Sequence, residues 1–375
     1  MTACIRWLVI LPLLVGAVPW ERPRTPVLDP AALGVSGLKA SDCSTCHAEV
    51  ASEWSTSTHA AAWVDPQFQA ELHKDPEVGW LCLNCHTPLA NQQPSLVTAH
   101  ENIRAPITRP NPSFDSELRD EGVTCLTCHW REDGIATTRA DARAPHALVV
   151  DPDLGGDATC TVCHQATARL EDALVCHFNT GAEKEAAGVQ QGCTDCHMPT
   201  VSRGQGHGRL HSWPGSGLGK GPGEPPAGLN GLDLEGPTMT DDGELRFTLI
   251  NARAGHMLPS GDPERYLDVR ATLLDDSGGA VSSQRWRIGQ TWVWSPVAEK
   301  TGDNRLNVGE RRELSWTPGT LGASVRLTVE HVRLSPENLD YHLKLLESGH
   351  PGPPIEALKA YPTRRTLFDR SVTTR

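Results

Sequence analysis

Cys43-Ser44-Thr45-Cys46-His47 opens a stretch that runs on through Ala48-Glu49-Val50-Ala51-Ser52-Glu53-Trp54-Ser55-Thr56-Ser57-Thr58-His59, and its first five residues have four counterparts downstream. These are Cys82-Leu83-Asn84-Cys85-His86, Cys125-Leu126-Thr127-Cys128-His129, Cys160-Thr161-Val162-Cys163-His164 and Cys193-Thr194-Asp195-Cys196-His197. C-x-x-C-H is the attachment signature of c-type haem: two thiols add to the porphyrin vinyl groups and the adjoining imidazole ligates iron. Zinc ribbons and redox dithiols also use Cys-x-x-Cys pairs, but neither has a reason to place histidine after every second cysteine. Invariant spacing around variable residues therefore implies five covalently bound haem c groups. Their thioether sites are Cys43, Cys46, Cys82, Cys85, Cys125, Cys128, Cys160, Cys163, Cys193 and Cys196, and their proximal ligands are His47, His86, His129, His164 and His197.

Outward from the first motif, apolar residues recur at helical intervals from Cys46 to Trp63. His59 follows His47 by twelve residues, which carries it along or past the end of that helix. It is placed to ligate the iron of a neighbouring haem rather than its own. The motifs begin at 43, 82, 125, 160 and 193. So little polypeptide per macrocycle forces the haems close together, and segments such as Asn91-Gln92-Gln93-Pro94 show no periodicity.

The first motif with Trp54, Ser57 and His59 is joined by Cys85-His86-Thr87-Pro88, Glu121-Gly122-Val123-Thr124-Cys125 and Cys196-His197-Met198-Pro199. Together they resemble the multihaem c-type cytochromes of the cytochrome c-554 and hydroxylamine oxidoreductase-related group, over roughly residues 38–215. That group holds electron carriers and also enzymes. The resemblance implies distal histidines at His59, His146 and His211, while His207, His177 and His256 compete for the remaining positions. His73, His100, His331, His342 and His350 read as exposed or hydrogen-bonded core residues.

The N-terminus carries Arg6 before an apolar run from Trp7 to Val18, the pattern of a cleaved export signal over 1–18, with an uncleaved anchor as the alternative. Cys4 leaves with it, and Cys176 is then the unpaired thiol, read as packing beside a haem, with a sixth, singly attached haem as the alternative. A periplasmic or extracellular location suits haem attachment, which the resemblance places outside the cytoplasmic membrane. A formal charge of −12 disfavours nucleic acid and anionic membrane as partners, and redox proteins are the expected ones. Membrane association would come only through an uncleaved N-terminus, and oligomers are compatible with the chain. Aromatic residues make up only 5% of the sequence, as expected where flat macrocycles fill the interior.

An extended arm is expected over 19–37, a mostly helical and irregular haem domain wrapped around its cofactors over 38–215, and a Gly/Pro-rich linker over 216–237. Strand alternation then appears at Leu245, Phe247 and Leu249, at Leu267, Val269, Ala271 and Leu273, and at Val325, Leu327 and Val329. Residues 238–375 therefore read as an all-β, immunoglobulin-like sandwich of about seven strands, with Trp292 and Trp294 on one face. Its Asn251–Gly261 loop could bring His256 or Met257 over a haem.

The expected function is electron carriage by haem-to-haem transfer, with no catalytic residue named. The alternative is an oxidoreductase acting on a small nitrogen or sulfur compound at one open-coordination haem. Against that alternative, no Cys-x-x-Cys-Lys motif occurs, and Tyr266, Tyr341 and Tyr361 all lie outside the haem half.

Overall fold

A computed structural model describes residues 25–374 apart from 101, 142, 171–172, 205, 222–227, 295 and 321. The signal expected over 1–18, and arm residues 19–24, lie outside the described residues. No described helix is long and apolar enough to cross a membrane.

The N-terminal half is built on short helices: α1 (Ala40–Ser44), α2 (Ala48–Ser55), α3 (Pro66–Lys74), α4 (Gly79–His86), α5 (Cys125–His129), α6 (Asp157–His164) and α7 (Cys193–His197). The first motif straddles α1 and α2, and the other four close α4, α5, α6 and α7. Within one helical turn, residues i, i+3 and i+4 share a face, so both thiols and the following imidazole of the last four motifs look the same way. With so little regular structure, the backbone is satisfied by buried amides. Gln92 donates to Leu118 O (2.9 Å) and Gly122 O (2.7 Å), while Asn111 donates to Ala90 O and Gln93 O. The arm is not simply extended. Asp29 caps a single turn at Pro30–Leu33, and Leu28, Leu33 and Leu38 pack with Leu89, Leu118 and Leu126.

Among the described residues the C-terminal half has eight strands: β1 (Leu232–Met239), β2 (Leu245–Asn251), β3 (Tyr266–Leu274), β4 (Ala280–Val293), β5 (Glu299–Asp303), β6 (Arg311–Trp316), β7 (Ser324–Val332) and β8 (Arg364–Thr373). They form two antiparallel sheets, ordered β1-β2-β6 and β5-β4-β3-β7-β8. Alternate residues of both sheets, among them Leu245, Phe247, Leu249, Val269, Leu273, Leu327 and Val329, meet in one core, which makes the pair a sandwich. The alternation seen in the sequence thus marks β2, β3 and β7. Trp292 and Trp294 stack at 5.4 Å with 14° between planes.

Two features depart from expectation. β1 begins at Leu232, inside the stretch read as linker, because its partner β2 pairs as far as Asn251 with Leu232. Two helices, α8 (Pro336–Glu347) and α9 (Ile355–Lys359), interrupt the strands between β7 and β8. Leu339, Leu343 and Leu346 of α8 pack on Ala70 of α3, Leu334, Leu358 and Tyr361, so these helices fasten the sandwich to the haem half.

Titratable side chains meet at this contact. His342 Nε2 lies 2.7 Å from Glu71 Oε1, and Glu264 Oε2 is buried with no hydrogen-bond partner among the described residues. Burial, reinforced by Asp262 and Glu71, raises the Glu264 carboxyl to about 8. An unfolded glutamate ionises near pH ~4.3. Between these values the folded chain holds a proton that the unfolded chain has released, so stability falls as pH rises from ~5 to ~8 and levels off above. Glu264→Gln is expected to abolish that fall, as read from urea midpoints at the two ends of the window.

Candidate haem sites

The four residues between Trp54 and His59 lead into a turn built for His59. Trp54 Nε1 donates to Val123 O (2.8 Å), Val123 N donates to His59 O (3.0 Å), and Ala60 N donates to Ser57 Oγ (3.1 Å). Gly122, at φ 61°, lets the 121–125 segment close on that turn; a Cβ there would lie 2.8 Å from His59 O. Glu121 accepts the Ala40 N–H, tying α1 to the same segment. His59 lies beyond the end of α2, as its spacing implies.

Three histidine pairs result. His59 faces His164 with ring centroids 6.3 Å apart and planes at 60°. His211 faces His129 at 6.3 Å and 24°, and His256 faces His197 at 6.4 Å and 12°. A metal–imidazole bond is about 2 Å and the ring centre lies ~1.1 Å behind its nitrogen, so one iron between two imidazoles sets centroids about 6 Å apart. The pairs fit that span.

Five of the rings are further oriented through Nδ1, which bonds a backbone carbonyl: His86 to Ala62 (2.8 Å), His129 to Ala136 (2.9 Å), His197 to Pro214 (2.7 Å), His211 to Arg209 (2.8 Å) and His256 to Met257 (2.9 Å). A carbonyl accepts only from an N–H, which fixes the tautomer with the Nε2 lone pair directed away and available to metal. Burial, then the neighbouring His164, His197 and His86, lowers His59 to about 3, and burial lowers His164 and His86 to about 4. All three imidazoles are thus neutral, the form that ligates.

None of the eleven described cysteines is in a disulfide, and among the described residues no three His, Cys, Asp or Glu side chains converge on one point. The Cys43 side chain adjoins that of Cys125, and the Cys160 side chain adjoins that of Cys193. Groups attached there would meet at their thioether edges, the first with the third and the fourth with the fifth.

Residues 42–130 match the family model described as cytochrome c554 and c-prime. Among solved structures, the chain is similar to a penta-heme cytochrome c552 from Thermochromatium tepidum, with 18% identity and a TM-score of 0.63, covering 89% of this chain and 98% of that one. The fold is that of a multihaem c-type cytochrome. No curated protein matches the chain.

Within this multihaem cytochrome fold, the other histidines fare differently. His146 is half-buried beside Gly34, and neither it nor His47 joins a histidine pair among the described residues. His207 is exposed on the Thr200–Arg203/Gly206–Arg209 hairpin, where its carbonyl accepts from Arg139. His177 bonds Thr167 Oγ1 at 2.9 Å and lies 5.6 Å from Trp292, turned to the sandwich rather than to a motif histidine. Cys176 beside it packs with Val78, Leu81 and Ala168, and burial pushes its thiol up.

His86 was not distinguishable from the other motif histidines in the sequence. In the structure the Phe68 ring lies flat on it, 3.6 Å away with 5° between planes, and no histidine faces it among the described residues. The buried Asp65–Lys220 ion pair adjoins it. Only helical period could have signalled Phe68, and the reason for its place is the tertiary contact of α3 with α4.

Proposed function

We propose that this chain is an exported pentahaem c-type cytochrome, periplasmic or extracellular, that carries electrons between redox partner proteins. The observation that carries the reading is the set of three histidine pairs held at the separation one iron spans. Haem c on the five Cys-x-x-Cys-His sites would supply the one-electron couple. His164 with His59, His129 with His211, and His197 with His256 would hold iron six-coordinate, with His47 and His86 as proximal ligands and His146 as the distal candidate for the first site. Carbonyl bonds to Nδ1 keep the rings of His86, His129, His197, His211 and His256 in place and raise their basicity. The thiol pairs Cys43–Cys125 and Cys160–Cys193 support close haem edges, which relay requires. We also infer an immunoglobulin-type sandwich. Taking β1, β2, β3, β4, β6, β7 and β8 as strands A, B, C, C′, E, F and G gives A-B-E opposite C′-C-F-G, with β5 an added edge.

A second reading rests on His86. With Phe68 on its ring and no histidine opposite, the Cys82/Cys85 site could leave a coordination position open to a small nitrogen or sulfur compound. Two measurements separate the readings. Holoprotein mass is expected to exceed the polypeptide by five haems. Electron paramagnetic resonance of the ferric protein is expected to be unchanged by nitrite or hydroxylamine; a high-spin signal that shifts with either transfers the assignment to the oxidoreductase.

A further inference from the structure

Residues 209–214 form a short strap that touches three of the histidine pairs. Arg209 O accepts from His211 Nδ1, and Pro214 O accepts from His197 Nδ1. Between them, Trp213 meets His59 edge-on at 4.7 Å and 75°, and meets His211 edge-on at 5.4 Å and 85°. One indole therefore contacts imidazoles from two different pairs. The backbone at Trp213 has φ 44°, and among the described residues it is the one non-glycine with positive φ. A bulky side chain resists that conformation, which persists only where the surroundings over-determine it.

His59 needs such a neighbour. A ring bonded to metal through Nε2 can still rotate about that bond, and its plane is set by what touches the rest of the ring. His211 has the Arg209 carbonyl; His59 has no Nδ1 hydrogen bond among the described residues, and the Trp213 edge is what lies against it. Its plane is also the most rotated from its partner's, at 60° against 24° and 12°.

We propose that Trp213 is a positioning residue shared by two haem centres, one indole setting the ring planes of both His59 and His211. The proposal rests on the ligand assignment above. It predicts that two sites respond together to a change in a residue that ligates neither.

The test is electron paramagnetic resonance of the ferric holoprotein, whose low-spin g values follow the angle between the two axial imidazole planes. In Trp213→Leu, the signals of the His59–His164 and His129–His211 sites are expected to shift together while that of His197–His256 stays put. Trp213→Phe is expected to restore both. Trp213→Gly, which suits the positive φ but lacks the ring, is expected to shift both as Leu does. A shift in only one signal, in all three, or in none overturns the proposal, as does a Gly variant with wild-type signals. His59→Ala and His211→Ala separate this from the ligand assignment. If either leaves its site low-spin the assignment itself fails; if both turn their sites high-spin while Trp213→Leu changes nothing, only the role of Trp213 is lost.

Discussion

Arg305→Ala is expected to lower stability by about 3–5 kcal/mol, the cost of leaving a buried charge without its partner. Arg305 Nη1 lies 2.6 Å from Glu183 Oε1 across the contact between the two halves, with the side chains only 4% and 3% exposed. The same guanidinium holds Asp303 at 2.9 Å, and Glu183 also accepts from Ser260 Oγ at 2.7 Å. Ser260 in turn bonds Thr180, and Asn251 Nδ2 donates to His256 O at 2.9 Å. The network therefore secures the loop that presents His256 to His197. A urea melt should show the loss in midpoint, and optical spectra should show the Cys193/Cys196 site turning high-spin before the other paired sites. Glu183→Leu added to Arg305→Met should recover much of the stability, since removing both charges leaves less uncompensated burial than removing one. A single variant with a wild-type midpoint would show that the pair is not buried in solution.

The second large effect is at a distance from its own motif. His59→Ala is expected to convert the site on Cys160 and Cys163 from low- to high-spin, leaving the site on Cys43 and Cys46, nearest in sequence, as it was. Carbon monoxide titration of the reduced protein should then count one additional binding site per molecule. The reason is the 6.3 Å separation of His59 from His164, which no other described residue of the His59 turn could span. Conversion of the first site instead would sink the pairing.

How much of this could be read from residues alone depended on how local each feature is. The five motifs and the placement of His59 beyond its helix were legible because i, i+3, i+4 geometry and helix length are local. The strands at Leu245–Leu249, Leu267–Leu273 and Val325–Val329 were legible because alternation with period two is local as well. The pairing of His211 with His129 and of His256 with His197 is fixed by tertiary packing, and spacing carries no information about it. Exposed His207 and paired His211 are told apart in the sequence only by the family resemblance, which favours His211. Leu339, Leu343 and Leu346 did carry a helical period behind the Ser335 cap and Pro336. Their helical period is short and lies between two strand-like runs, Val325–Val329 and Arg364–Thr373. Phe68 against His86 had no signal beyond one apolar position in α3.

The paired histidines also give the chain a topology. With the proposed ligands, irons cross-link residues 59 to 164, 129 to 211 and 197 to 256. These loops overlap in sequence: the second opens before the first closes, and the third before the second. A cross-link closing a loop of ~100 residues removes unfolded-chain entropy of the order of 4–5 kcal/mol. Interlocked loops extend that restraint from the first helix turn to the sandwich. Neither half can then open alone while all three clasps hold, and losing one ligand frees two segments at once.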